Sequence, residues 1–344
     1  MLFIRVAIGV AILGAVVVAG STSGLGLADA AVRVHATTSP TRTNAAPTTA
    51  TPTAPVIAPH LYVDPNSLSA KEVATLTAAG NLTDAATIRQ ISSQPGSIWL
   101  TGWATGATLS RYLQRYVDAA RADGSTLTFV TYAIPNRDCG GYSAGGLSAS
   151  AYLDWNRVIA STLTGTGANI IVEPDAIAML GKSQCDTVRS TRLPLLNQAV
   201  GILAGAGLKI YLDAGHAGWV APSVMAPLLQ QAGVAHAAGF STNVASFNST
   251  ATEVAYAGQL SGLLGGKHFV IDVSRNGAGS QPTWCNPPGA ALGQNPRLVS
   301  GQGALDALLW IKSAGVSDGT CNWGPPAGTW WESYALALVK ARGL

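Results

Sequence analysis

The chain has 344 residues, of which 48% are apolar and only 11% charged. That supports one large hydrophobic core or two small ones. A formal charge of +3 without basic blocks argues against nucleic acid as a partner, and so few charges beside nine tryptophans suit a neutral substrate better than an ionic one.

The N-terminus reads as a targeting segment. Arg5 is a thin positive region, Val6 to Gly20 is an apolar run, and Ala28-Asp29-Ala30 offers a small-residue cleavage site. Residues 1–30 are therefore expected to be a signal peptide. The run is short for a membrane span. The protein is expected to be secreted, without stable membrane insertion; a tether through an uncleaved N-terminus is the alternative. Residues 31–59 read as a disordered Thr/Pro-rich linker. Between residues 36 and 59 there are eight Thr and five Pro, and such a segment buries too little apolar area to offset its ordering entropy.

A folded domain is expected over residues 60–344. Seven strand-like runs occur in order along it: Ile98–Trp103, Thr126–Ile134, Asn169–Val172, Leu208–Leu212, Ala237–Val244, His268–Val273 and Ala307–Ile311. Helix-like stretches alternate with them, among them Ala107–Ala122, Ser148–Leu163, Leu193–Ala206 and Ala251–Leu264. Such alternation predicts parallel βαβ units in an α/β domain, and seven runs fit a barrel better than a small open sheet.

The chemistry lies at the end of each run. Ile170-Ile171-Val172 stops on Glu173-Pro174-Asp175. Pro174 cannot donate to a sheet ladder, so the strand ends there and Asp175 sits at its tip. The other tips carry Trp99 and Trp103, Asp138, Asp213 and His216, Asn243, Arg275 and Asn276, and Lys312 with Asp318. In a barrel these tips converge on one face. No glycine fingerprint opens a helix after a strand, and the cysteines form no Cys/His cluster, so neither a nucleotide cofactor nor a metal is expected. Cys139, Cys185, Cys285 and Cys321 allow three disulfide connectivities. Pairing within each half, Cys139 with Cys185 and Cys285 with Cys321, closes the shorter loops.

Paired carboxylates in a neutral, aromatic-lined groove suit glycoside hydrolysis. One carboxyl must be protonated to give a proton to the leaving oxygen, and another ionised. Trp99, Trp219 and Trp284 are candidate platforms for sugar rings, whereas Trp155 and Trp310 read as core. A lone acidic residue at a strand end is more often a cap or an ion-pair partner; four in an ordered series reverse that balance. Gly141-Tyr142-Ser143-Ala144-Gly145 matches the nucleophile elbow of esterases, but Pro135 to Gly140 separate it from the strand. A flexible, glycine-rich lid loop is the better reading.

Tyr132-Ala133-Ile134-Pro135-Asn136-Arg137-Asp138-Cys139, Val172-Glu173-Pro174-Asp175, Tyr211-Leu212-Asp213-Ala214-Gly215-His216 with Trp219, Ile271-Asp272-Val273-Ser274-Arg275-Asn276-Gly277, Trp284-Cys285-Asn286-Pro287-Pro288-Gly289, and Leu309-Trp310-Ile311-Lys312 with Ser317-Asp318-Gly319 form an ordered set. Together they resemble glycoside hydrolase family 6, the inverting β-1,4-glucan cellulases. The resemblance implies a distorted, seven-stranded parallel β/α barrel, TIM-like, as a single catalytic domain. It implies that Asp175 is the general acid and that Asp138 tunes it and takes a proton from the nucleophilic water. Asp318 matches the residue usually assigned as base, Asp213 a buried supporting carboxyl, and Tyr132 a residue that crowds the sugar at the cleavage point. Trp99, His216, Trp219, Asn243, Trp284 and Lys312 match sugar-binding positions. The same cysteine pairing is the family's. No cofactor is implied, and the expected partner is a β-1,4-glucan or its oligosaccharides, bound by a monomer.

Two positions depart from the family's pattern. Relatives place Ser six residues after the Asp138 position, where this chain has Ala144 beside Ser143, and Glu two residues before Asp318, where it has Val316. The short domain, without long insertions after the Asp175 and Trp284 strands, favours an endoglucanase with an open cleft. The alternatives are a cellobiohydrolase, or a catalytically weak or inactive β-glucan-binding protein of the same fold.

Overall fold

A computed structural model describes residues 60–342. The expected signal peptide and linker lie outside the described residues. Seven parallel strands run in chain order around a curled sheet: β1 Ile98–Leu100, β2 Thr128–Thr131, β3 Asn169–Val172, β4 Lys209–Asp213, β5 Gly239–Thr242, β6 His268–Asp272 and β7 Leu305–Leu309. Each pairs with the next, so the order is sequential. A two-residue strand, Arg297–Leu298, adds antiparallel to β7. This is the distorted seven-stranded barrel that the sequence implies. Only the run Thr126–Ile134 divides: Thr126 belongs to a separate parallel pair with Leu61, and β2 begins at Thr128.

The barrel is distorted because β1 and β7 do not form a ladder. The Ser97 N–H donates to the Trp310 carbonyl at 3.0 Å, and the Trp99 indole N–H to the Ile311 carbonyl at 2.7 Å. These two bonds bridge the seam.

Strand periodicity explains the near-continuous apolar runs. Val130, Ile171, Tyr211, Val270 and Leu309 point into one small cluster inside the barrel. Their neighbours Phe129, Ile170, Ile210, Phe269 and Leu308 belong to the large cluster packed by the helices. Both faces of a parallel sheet are buried, so both alternations are apolar. Gly239 in β5 is dictated by space, because a Cβ there would lie 1.7 Å from the His268 carbonyl oxygen.

Among the described residues, eight α-helices surround the sheet: α1 Leu68–Ala78, α2 Leu82–Ser92, α3 Gly106–Asp123, α4 Ala149–Leu163, α5 Arg189–Ala204, α6 Pro222–Gln231, α7 Thr250–Leu263 and α8 Glu332–Lys340. α3 buries Leu109, Leu113, Tyr116, Val117 and Ala120, an i, i+4, i+7, i+8, i+11 stripe. Ser148 and Ser249 cap α4 and α7, their side chains accepting from the backbone N–H of Ala151 and of Thr252. Trp155 and Trp310 are core residues. Both cysteine pairs form as expected, Cys139–Cys185 and Cys285–Cys321. No helix among the described residues is long and apolar enough to cross a membrane.

Candidate active site

The site is assembled at the C-terminal ends of the strands, where loops leave the sheet and their N–H groups lose ladder partners. Buried carboxylates take them up, three of them at or next to the last residue of a strand. Glu173, after β3, accepts from Ala133 and Ile134 at 3.0–3.1 Å. Asp213, ending β4, accepts from Asp175 at 2.9 Å and Gly215 at 3.0 Å. Asp272, ending β6, accepts from Ala245, Ser274, Ile311 and Lys312. Each ties its own strand to a neighbouring loop. The sequence motifs point to a supporting role for Asp213 alone; an acidic last residue on an apolar strand is the signal common to Asp213 and Asp272.

Asp175 stands on strained backbone, with φ 69° there and 51° at Glu173. The Asp213 carboxylate holds that turn by its N–H. Burial first, and then the nearby Asp138 charge, raise the Asp175 carboxyl, Lys182 pulls it back, and the net result is about 7. Burial and the adjacent Asp175 also push Asp213 well up. The buried Tyr132 hydroxyl is raised by burial, then by the charges of Asp175 and Asp138.

The loop bearing Asp138 is clamped rather than free. Arg137 donates through Nη1 to the carbonyls of Tyr132 (2.6 Å) and Thr101 (3.1 Å), through Nε to Ser143 (2.7 Å) and through Nη2 to Ala144 (3.3 Å). From α5, the buried Arg192 donates to the carbonyls of Pro135 (3.0 Å) and Asn136 (2.8 Å). The Cys139–Cys185 disulfide adds a covalent tie. Within the loop, the Ser143 N–H donates to Asp138 Oδ2 at 2.7 Å. The expected flexible lid is thus a held loop, and Ser143 is on no strand-to-helix elbow. Tyr142 at its tip fills the space beside Gly319, where a Cβ would meet its ring at 2.7 Å. The loops after β2 and β7 therefore touch.

Among the described residues, Asp318 is the carboxylate with two cationic partners. Its Oδ2 meets Arg275 Nη1 at 2.8 Å and the Asn286 N–H at 3.1 Å; its Oδ1 meets Lys312 Nζ at 2.9 Å. Burial alone would raise its pKa, but Arg275 and Lys312 overcome this and hold it at about 2. Asn286, itself buried, returns the contact by accepting the Asp318 N–H at 2.8 Å.

A family model described as glycosyl hydrolases family 6 matches residues 57–342. The chain belongs to this family. Endoglucanase A of Cellulomonas fimi is 42% identical over 279 residues, 81% of this chain and 60% of that protein. Endoglucanase 1 of Streptomyces sp. (strain KSM-9) is 37% identical over 256 residues, 73% of this chain and 70% of that protein. The chain thus spans only 60% of the length of its Cellulomonas fimi relative. Among solved structures, the endoglucanase Cel6 from Mycobacterium tuberculosis, in complex with methyl-cellobiosyl-4-deoxy-4-thio-β-D-cellobioside, superposes with a TM-score of 0.76. It is 40% identical, over 83% of this chain and 98% of that one.

Not every position matched to this family's sugar-binding residues reaches the groove. Trp284 is 61% exposed, and its ring centroid lies 6.1 Å from that of Tyr142. Trp99 packs edge-on to Tyr132 at 5.2 Å, its N–H spent on the seam. After β4, His216 and Trp219 lie together, ring centroids 5.3 Å apart, with Lys182 Nζ 5.2 Å from the Trp219 ring centroid. His216 Nδ1 faces the Ala217 carbonyl at 2.8 Å, which leaves Nε2 as the outer nitrogen. Lys312 is partly buried against Asp318. Asn243 corrects the expectation. It is fully buried, its Nδ2 donates to the Asn248 and Asp272 carbonyls, and its Oδ1 accepts from the Asn248 N–H. Its amide shapes the turn and offers nothing to a sugar. Of the two family departures, Val316 is buried beside Trp330, whereas Ala144 is exposed.

Proposed function

We propose that the domain is an endo-β-1,4-glucanase that cleaves by single displacement. The observation that carries this reading is the unequal treatment of two neighbouring carboxyls at the C-terminal ends of the strands: Asp175 is held up at about 7 while Asp318 is held down at about 2. A group that keeps its proton near neutrality is suited to protonate the glycosidic oxygen as the bond to the anomeric carbon breaks. A water on the opposite face of the ring attacks that carbon and gives up a proton, so the fresh product is the α-anomer.

Asp138 is the better acceptor for that proton. Both oxygens of Asp318 are engaged, and its low pKa makes it a weak base. Asp318 instead fixes Arg275 and Lys312 and supplies negative charge as the ring carbon becomes cationic. Tyr132, wedged against Trp99, is the group that favours ring distortion. Trp99, Trp219 and Trp284 take the apolar faces of the sugars, with His216 and Lys312 on their hydroxyls. Two disulfides fit an exported protein, and we assign the chain to the extracellular space.

The test is proton NMR of cellohexaose during hydrolysis. Early α-anomer supports the reading; early β-anomer refutes single displacement. Line broadening without hydrolysis favours a β-glucan-binding protein, a reading motivated by the methyl group of Ala144 in place of a hydroxyl. Random internal cuts, read as a fast viscosity drop in a soluble cellulose derivative, separate the endoglucanase from a cellobiohydrolase.

A further inference from the structure

Trp323 is 92% exposed, more than any other large apolar side chain among the described residues. Its loop is not slack. φ is 62° at Trp323 and 46° at Asn322, a conformation that bulky L-residues avoid. Two successive residues of this kind persist only where the surroundings over-determine them. Here they do: Asn322 Nδ2 donates to the Cys285 carbonyl at 2.8 Å, and Asn286 Nδ2 to the Cys321 carbonyl at 3.2 Å. The Cys285–Cys321 disulfide joins the same two loops. Downstream, the Ser317 hydroxyl donates to the Pro325 carbonyl at 2.7 Å.

Folding gains nothing from an indole presented to water on strained, cross-linked backbone. Trp284 immediately precedes Cys285 and is itself 61% exposed. The disulfide therefore carries an exposed indole on each of its loops. Neither loop holds a charged residue, from Asn276 to Pro296 or from Gly319 to Trp331, so the surface suits a neutral ligand. Trp99 stands on β1, Trp284 follows β6 and Lys312 follows β7, so all three belong to strands at or next to the seam, whereas Trp219 follows β4. Trp323 belongs to the β7 loop, two residues beyond the cysteine that ties it to the Trp284 loop, and so joins the aromatic groups of the seam-side loops.

We infer that Trp323 is an outlying stacking platform for a glucosyl unit of a β-glucan chain, reached only by chains that overrun the groove at its seam side. This rests on the glucanase reading for the identity of the ligand. The indole would cover the apolar face of one pyranose ring, as Trp284 does nearer the centre. The site then sets a preference for long chains without touching the bond that breaks.

The test compares wild-type full chain with Trp323→Ala and Trp323→Phe on cellotetraose, cellohexaose and soluble hydroxyethyl-cellulose. Loss of one aromatic stack predicts a KM about two- to tenfold higher on the polymer for Trp323→Ala. kcat should stay constant, cellotetraose kinetics should be unchanged, and Trp323→Phe should restore most of the affinity. Equal kinetics of wild type and Trp323→Ala on every substrate would overturn the platform, as would an equal loss on cellotetraose and polymer. If the wild type hydrolyses none of them, the glucanase reading fails by itself. The platform is then judged by electrophoretic retardation in hydroxyethyl-cellulose gels: retardation of wild type but not of Trp323→Ala supports it, and no retardation of either overturns it. Self-association lost in Trp323→Ala, with sugar affinity unchanged, would assign the face to a second copy instead and also overturn it.

Discussion

The main-chain N–H of Asp175 donates to Oδ2 of Asp213 at 2.9 Å. One carboxyl thus fixes the backbone that aims the other. Asp213→Ala should leave the N–H groups of Asp175 and Gly215 unpaired in a buried site, at about 1–3 kcal/mol. Asp213→Asn keeps one acceptor oxygen and should cost less. Urea unfolding and kcat measured together check this: Ala should lower both, and Asn should keep most of the stability.

The pH profile should report the Asp175 proton. Its acid form does the work, so activity is present below its pKa of about 7 and falls as pH rises through it. Asp138 raises that pKa and Lys182 lowers it. Asp138→Asn should therefore slow turnover and move the alkaline limb to lower pH. Lys182→Met should move it to higher pH. A limb that stays put in both variants would assign it to another group. Asp175→Asn should lower kcat by about 10²-fold or more with folding intact.

Asp318 makes a stability prediction before a catalytic one. Its pKa is depressed from 3.8 to about 2, so its stabilisation is present above about 4 and lost as pH falls through about 2. Less than two pK units corresponds to about 2 kcal/mol. Asp318→Asn should also leave the fully buried Arg275 uncompensated, costing about 3–5 kcal/mol at neutral pH, and should flatten the acid dependence. Chemical denaturation between pH 2 and 7 measures both. An activity loss in this variant is not evidence for a catalytic base unless stability is retained.

Arg192 should matter although it is a buried residue of α5. Arg192→Met removes the donors to Pro135 and Asn136, whose loop carries Asp138. The expected result is a tenfold or larger fall in kcat with KM for short oligosaccharides little changed, because the loop is misplaced rather than the sugar platforms. Arg192→Lys cannot reach both carbonyls and should recover only part. An unaltered kcat would remove Arg192 from the positioning of Asp138.

The strand pattern made the barrel legible, because a parallel sheet buried on both faces writes each strand as a short apolar run with a polar end. Two of the site's carboxylates were legible for the same reason: Asp213 ends β4 and Asp175 stands three residues beyond the end of β3. Asn243 was misread because a polar residue at a strand tip looks the same whether it turns to the groove or folds its amide back onto Asn248 and Asp272. The clamp on the Asp138 loop was illegible, since Arg192 lies in α5 without a motif and meets Pro135 only through the fold. Glycines at 140, 141, 145 and 146 suggested freedom. Gly146 is instead demanded by space, where a Cβ would fall 2.0 Å from the Ile134 carbonyl oxygen.

The two bonds across the seam act as a clasp on an otherwise laddered ring. Trp99 provides one of them with its indole N–H and is also one of the aromatic groups proposed to meet sugar. A glucan pressed on that ring would hold the clasp shut. By reciprocity, whatever free energy the sugar gains from a closed barrel is returned as resistance to opening. The Ser97 amide should then take up deuterium quickly in the empty protein and slowly in the loaded one. A peptide far from the broken bond would register whether the groove is occupied.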